Sequence, residues 1–181
     1  MKMKWYLLTF TVIALVLGMT NTGRSAEVLF KDYDAVIVEN LNVPAGSPAP
    51  ESSGLQMAEK AVYQISRYSE KYKLFDMVVK EGSKSKEVPT DKRVLVIKGE
   101  VKEYTMQSVG RRIGRSFIPG GEFTGTAAFA ARYQFIDKAS GKVVYETDLR
   151  TGATGGNDTV EYAMDRNGEA LAKLIMKYKG K

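Results

Sequence analysis

Ala127-Ala128-Phe129-Ala130-Ala131-Arg132-Tyr133-Gln134-Phe135-Ile136-Asp137-Lys138-Ala139-Ser140-Gly141-Lys142-Val143-Val144-Tyr145-Glu146-Thr147-Asp148-Leu149-Arg150 holds two alternating runs around one short turn. In the first run Ala127, Phe129, Ala131, Tyr133 and Phe135 alternate against Ala128, Ala130, Arg132 and Gln134. That is the period of a strand with one buried face. In the second run Val143, Tyr145, Thr147 and Leu149 alternate against Val144, Glu146, Asp148 and Arg150. The connection Lys138-Ala139-Ser140-Gly141 is tight and ends in glycine, so the runs predict an antiparallel hairpin.

Working outward, Leu95, Ile97, Gly99 and Val101 alternate against Lys98, Glu100 and Lys102, with Val94 and Val96 at the start of the second face. This predicts a strand over 94–104, half-buried in an antiparallel sheet. Ala35-Val36-Ile37-Val38 reads as a buried strand continuing irregularly to Val43, and Leu74 to Val79 as another. Pro44 to Gly54 is a proline- and serine-rich loop, and Glu81 to Lys92 an exposed connection. Leu55, Ala58, Val62, Ile65 and Tyr72 recur at helical spacing, with Ser69 in one slot, which predicts a helix over about 54–72. Ser53 with Gln56 gives it a capping box. Tyr63, Tyr68 and Tyr72 suit packing onto a sheet better than an aromatic binding platform. Val160, Ala163, Ala170, Leu171, Leu174 and Tyr178 make a second stripe, with Asn167 in one slot and Asp158 and Glu161 at its head. The order β-α-β-β-β-β-α predicts an α+β domain: a mostly antiparallel sheet of about five strands with two helices on one face.

The N-terminus has the three parts of a secretory signal: Lys2 and Lys4, an apolar run from Trp5 to Met19, and a small-residue exit at Ser25 and Ala26. The run is short of the ~20 apolar residues a spanning helix needs and carries Thr9 and Thr11. Residues 1–25 are therefore expected to be removed near Ser25/Ala26, leaving 26–181 as one domain. The alternative is a retained anchor. The expected location is the periplasm or beyond, by a Sec-type signal. The chain has no Cys, so it is not expected to be a lipoprotein.

Composition narrows the chemistry. Losing Lys2, Lys4 and Arg24 takes the net charge from +6 to +3, which is not a nucleic-acid binder's footprint. With neither His nor Cys present, the usual zinc, copper and haem ligands are missing, as are Ser-His-Asp, Cys-His and imidazole acid/base arrangements. No metal, cofactor or catalytic residue is expected, and no loop has Asp-x-Asp-x-Asp calcium spacing. A carboxylate-dependent hydrolase stays open only if two acids face one cleft.

Gly110-Arg111-Arg112-Ile113-Gly114-Arg115 is the most unusual surface stretch. Arg111, Arg112 and Arg115 between glycines suit bidentate contact with phosphate or carboxylate groups; a charged, solubilising connection is the plainer reading. Phe117 and Ile118, followed by Pro119, form either an apolar finger for a membrane or protein surface or a plug on the core. Gly152 to Asp158 reads as a turn and helix cap in preference to an anion nest.

The mature chain resembles a bacterial exported family known as domain of unknown function 4410. The residues that carry the resemblance are the Tyr72-Lys73-Leu74-Phe75 step, the strand Val94 to Val101 ending in Gly-x-Val, the segment Gly110 to Arg115, the hairpin Tyr133 to Val144 and the closing helix. Phe117, Ile118 and Pro119 depart from a purely glycine-rich loop at 116–123. The resemblance implies an envelope protein of the broad type of the curli-secretion lipoprotein and the amino-terminal domain of TolB, an assembly or interaction module without a transferable activity. The expectation is thus a non-enzymatic exported module that meets an envelope protein or an anionic surface group, with peripheral membrane contact compatible. A periplasmic small-ligand or anion binder is the alternative.

Overall fold

The structure, a computed structural model, describes residues 28–83, 89, 91–106, 127–153 and 159–181. Its elements are β1 (Ala35–Val38), α1 (Ser52–Tyr72), β2 (Met77–Lys80), β3 (Val94–Thr105), β4 (Ala128–Asp137), β5 (Val143–Gly152) and α2 (Val160–Tyr178). The five strands form one sheet in the order β2-β1-β3-β4-β5. β1 runs parallel to both neighbours along short ladders, whereas β3, β4 and β5 form a long antiparallel meander. The predicted α+β architecture is present, with a short parallel corner on a mostly antiparallel sheet. A strand flanked on both sides in parallel reads as a continuous apolar run, as Ala35-Val36-Ile37-Val38 does.

The two helices cover one face. Val36, Val38, Leu95, Ile97, Phe129, Tyr133 and Phe135 of the sheet are buried in the same core as Met57, Ala61, Ile65, Met164, Leu171 and Ile175 of the helices. Each fully buried large side chain contributes roughly 1.5–3 kcal/mol. The helices meet closely at Gly168, where an added Cβ would lie 3.1 Å from the Lys60 carbonyl oxygen. Phe30, ahead of β1, stacks on Phe135 at 4.8 Å and meets Tyr178 edge-on at 5.6 Å, which closes one end of the core.

Several boundaries and faces differ from the sequence reading. Ser53 is not a cap. It lies inside α1, its hydroxyl is buried without a partner, and the N-cap position is Glu51, which makes no side-chain cap bond. Leu55 is 39 % exposed, because the buried stripe runs through Gly54, Met57, Ala58, Ala61 and Ile65. Gly54 sits against the Leu41 carbonyl, so small residues take the close contacts and Leu55 is turned away. Tyr63 is 62 % exposed and does not pack onto the sheet, while Tyr68 and Tyr72 pair with each other at 5.6 Å. Leu74 and Phe75 are buried but precede β2, which begins at Met77. In β5 a register shift between Phe135 and Ile136 sets Val143 opposite Ile136. Val143 therefore leaves the face of Tyr145 and is exposed, while Val144 packs on the core. A bulge of this kind inserts one residue, and a one-residue slip turns the side chains beyond it to the other face.

Candidate functional site

The predicted contact residues Arg111, Arg112, Arg115, Phe117 and Ile118 lie outside the described residues, as do the expected signal at 1–25 and Asp158. The structure does fix where their segments attach. The 107–126 segment leaves β3 after Met106, which is 70 % exposed, and rejoins at Ala127. The second glycine-rich segment leaves at Ala153 and rejoins at Thr159. The Ala153 N–H donates to the Ala127 carbonyl at 2.8 Å, so both segments spring from one end of the sheet.

That end is rigidly built. Thr159, not Asp158, caps α2: its hydroxyl accepts from the Tyr162 N–H at 3.2 Å, and Glu161 stands in the first turn, as the helix dipole favours. Beneath it the Tyr133 hydroxyl donates to Asn167 Oδ1 at 2.7 Å. Asn167 Nδ2 donates to the Leu149 carbonyl at 3.0 Å and to Thr151 Oγ1 at 3.3 Å. The Thr151 hydroxyl donates to the Ala163 carbonyl at 2.7 Å. This satisfied chain locks α2 onto β4 and β5. Burial alone drives the Tyr133 phenol far above its ordinary pKa, so it stays a neutral donor. Asn167 was legible only as a polar interruption of an apolar stripe.

The sheet face away from the helices carries an ordered set of charges. Arg150 forks onto Glu103 at 2.7 and 3.0 Å, and Arg132 forks onto Asp148 at 3.0 and 3.2 Å. Gln134 donates to Glu146 at 2.7 Å, Lys102 to Glu100 at 2.6 Å, and Lys98 pairs with Glu39 at 3.1 Å. A bulge between Val101 and Glu103 brings Glu103 into register with Ala130, and hence into line with Arg150. Hydrogen bonds from Arg150 hold Glu103 below the usual carboxylate range, and those from Arg132 do the same for Asp148.

At the opposite end Asp137 clasps the chain. Its carboxylate accepts from the Ser140 N–H at 2.8 Å, the Ser140 hydroxyl at 3.0 Å, the Tyr33 hydroxyl at 3.0 Å and Arg93 at 3.2 Å. These bonds, the Ser140 N–H first, pull its pKa down to about 2. Arg93 also lies over the Tyr33 ring at 4.7 Å. Lys179 donates to the Tyr33 carbonyl at 2.6 Å, and desolvation lowers its pKa. The Asp-x-x-Ser-Gly-Lys turn signal thus marks a structural clasp whose oxygens are already taken.

Two surface grooves lie among the described residues. One, about 360 Å³, is lined by Ser66, Ser69, Glu70, Lys73, Phe75 and Asp76 among others, where α1 ends beside β2. The other, about 500 Å³, runs between the helices past Glu59, Lys60, Tyr63, Glu161 and Asp165. Asp76 in the first is lowered by its hydrogen bond to Lys92. Among the described residues every resolved carboxylate shift is downward, at Asp76, Glu103, Asp137, Asp148 and Glu169. Among the described residues no group of three or more metal-ligating side chains converges, and no helix is long and apolar enough to cross a membrane.

No family model matches the sequence, and no curated protein is similar to it at the sequence level. Solved structures share its fold. PelC from Paraburkholderia phytofirmans, solved as a dodecamer of a single-substitution variant, superposes with a TM-score of 0.55 at 13 % identity over 80 % of this chain and 90 % of PelC. A Xanthomonas campestris protein of the domain of unknown function 330 family superposes with a TM-score of 0.50 at 8 % identity over 80 % of this chain and 83 % of its own. Lipoprotein GNA1162 from Neisseria meningitidis gives a TM-score of 0.42 at 13 % identity, over 79 % of this chain and 98 % of its own. At these identities the likeness to the first two shows the architecture alone, and an architecture hosts more than one role.

Proposed function

We propose that the chain is an exported envelope module that works by binding and assembly, not by catalysis, in the periplasm. The observation that carries this reading is the Ala153–Ala127 hydrogen bond, which sets the attachment points of the arginine-bearing 107–126 segment and of the 154–158 segment side by side at one end of the sheet. Connecting segments rooted on a packed scaffold are where binding function concentrates. The partner of best fit is an envelope protein or surface group bearing carboxylates or phosphates, which Arg111, Arg112 and Arg115 grip. The fold likeness to a protein solved as a dodecamer supports an assembly role.

The test is in-cell crosslinking of the tagged protein, with mass spectrometry of the captured species. Replacing the three arginines by Ala is expected to leave the melting temperature unchanged and to remove a specific envelope partner. An unchanged capture profile sinks the reading. A small-ligand binder is the second reading, favoured by the buried, unpartnered Ser69 hydroxyl in the groove beside β2. It requires a bound metabolite in the native mass spectrum and a melting temperature that rises with that metabolite.

A further inference from the structure

β5 is an edge strand of ten residues, none of them fully buried. Its inner edge is hydrogen-bonded to β4 through the odd-numbered residues. The Ala153 N–H donates to Ala127, which fixes this phase, because bonded and non-bonded pairs alternate along an antiparallel ladder. The amides and carbonyls of Glu146, Asp148, Arg150 and Gly152 therefore point away from the sheet. The Gly152 carbonyl accepts from Arg166 at 2.9 Å, in keeping with that phase. No described group bonds the outward backbone of Glu146, Asp148 or Arg150.

Natural edges of this length are normally blunted by proline, unpaired charge or a bulge. Here no proline interrupts the strand, and the bulge lies at its far end, beside Val143 and Val144. The charges are already neutralised within the chain, Asp148 by Arg132 and Arg150 by Glu103. Their resolved shifts all favour the charged forms. Among the described residues, an incoming strand meets an unbonded backbone edge without net repulsion.

We infer that β5 pairs antiparallel with β5 of a second copy of this chain, centred on Leu149. Only even register sums keep outward-pointing residues opposite each other, and among these the charges choose. Centring on Asp148 sets two like charges face to face, and centring on Thr147 sets Glu146 against Asp148. Centring on Leu149 sets Asp148 of each copy opposite Arg150 of the other, Thr147 opposite Thr151, and Leu149 against Leu149. The charged rows then continue across the junction with alternating sign: Glu103, Arg150, the second copy's Asp148 and Arg132. Cross-strand opposite-charge pairs stabilise and like pairs destabilise. Backbone bonds give affinity and the side-chain row gives register, as in strand addition generally. The two copies become one ten-stranded sheet with the helices on a common side. The inference goes beyond the partner reading above and does not use residues 107–126.

The chain contains no cysteine, which gives a clean background for disulfide mapping. Light scattering reports the mass, and three variants report the register. At a centred non-bonded pair the Cβ atoms lie about 4.5–5.5 Å apart, close to disulfide reach, so Leu149→Cys should oxidise to a covalent dimer. Thr147→Cys should not, since four residues of offset separate the copies by roughly 14 Å. The double variant Thr147→Cys, Thr151→Cys should crosslink where neither single change does, which keeps the test alive if Leu149→Cys folds poorly. The expected result is a dimer mass and crosslinking about tenfold faster for Leu149→Cys than for Thr147→Cys. A monomer mass, equal crosslinking at both positions, or a larger oligomer in which neither Leu149→Cys nor the double variant crosslinks overturns the inference. It leaves the partner reading untouched, since that is scored by the arginine variants.

Discussion

The Tyr133 hydroxyl and Asn167 Oδ1 lie 2.7 Å apart, with both residues fully buried between sheet and helix. The contact joins β4 to α2 at the middle of the core. The rest of the network hangs from it, because Asn167 Nδ2 in turn donates to the Leu149 carbonyl and the Thr151 hydroxyl. Tyr133→Phe leaves a buried acceptor unpaired, which costs about 1–3 kcal/mol. Urea unfolding should show a lower midpoint with an unchanged slope. A variant as stable as the parent would mean that the Asn167 oxygen finds another donor.

Glycine packing sorts two otherwise similar substitutions. Gly54→Ala drives a methyl into the Leu41 carbonyl oxygen, a backbone atom held by the Leu41 N–H bond to Gly54. Gly168→Ala places its methyl 3.1 Å from Lys60 O, where helices can ease apart by a few tenths of an ångström. We expect Gly54→Ala to cost about 3 kcal/mol or more and Gly168→Ala about 1 kcal/mol. Thermal melts of the two variants rank them; the reverse order would refute the close approach at Gly54.

Acid should loosen the Asp137 clasp within a defined window. Its pKa is depressed from 3.8 to about 2, so its contribution is complete above the unfolded value and is lost as pH falls through the folded one. Asp137→Asn removes that component. Melting temperatures of parent and variant should therefore differ most above pH 4 and converge towards pH 2. A constant difference across that range would show that the carboxylate charge is not what the clasp uses.

Truncation along α1 tests which stripe it buries. Leu55 is 39 % exposed and Met57 fully buried. Leu55→Ala should stay within about 0.5 kcal/mol of the parent, while Met57→Ala should cost about 2–5 kcal/mol. Comparable losses from both would restore Leu55 to the core.

The hairpin was legible because its alternation is strict and its turn chemistry is local: Asp137, Ser140 and Gly141, with Gly141 at φ +68°, specify each other within five residues. The order of elements and the apolar character of the second helix were legible for the same reason. The face of α1 was legible in part. Its stripe holds at Ala58 and Ile65, but Gly54 takes the close contact with the Leu41 carbonyl, Leu55 turns outward, and Met57 and Ala61 are buried in its place. Asn167 and Ser69 both looked like gaps in a stripe. One became the hub of a buried network and the other an orphaned hydroxyl, a difference set entirely by the groups that lie across from them.

By itself the sequence determined the α+β class, the hairpin, the order of elements and the chemistry that missing His and Cys exclude. These rest on periodicity, turn residues and composition, which act over a few residues. The tertiary structure alone decided the parallel corner around β1, the two bulges that realign Glu103 and expose Val143, the clasp at Asp137 and the common root of the two glycine-rich segments. All but the bulge at Val143 pair residues far apart in the chain. Their partners are chosen by packing and hydrogen-bond satisfaction across the whole core, which no local pattern encodes.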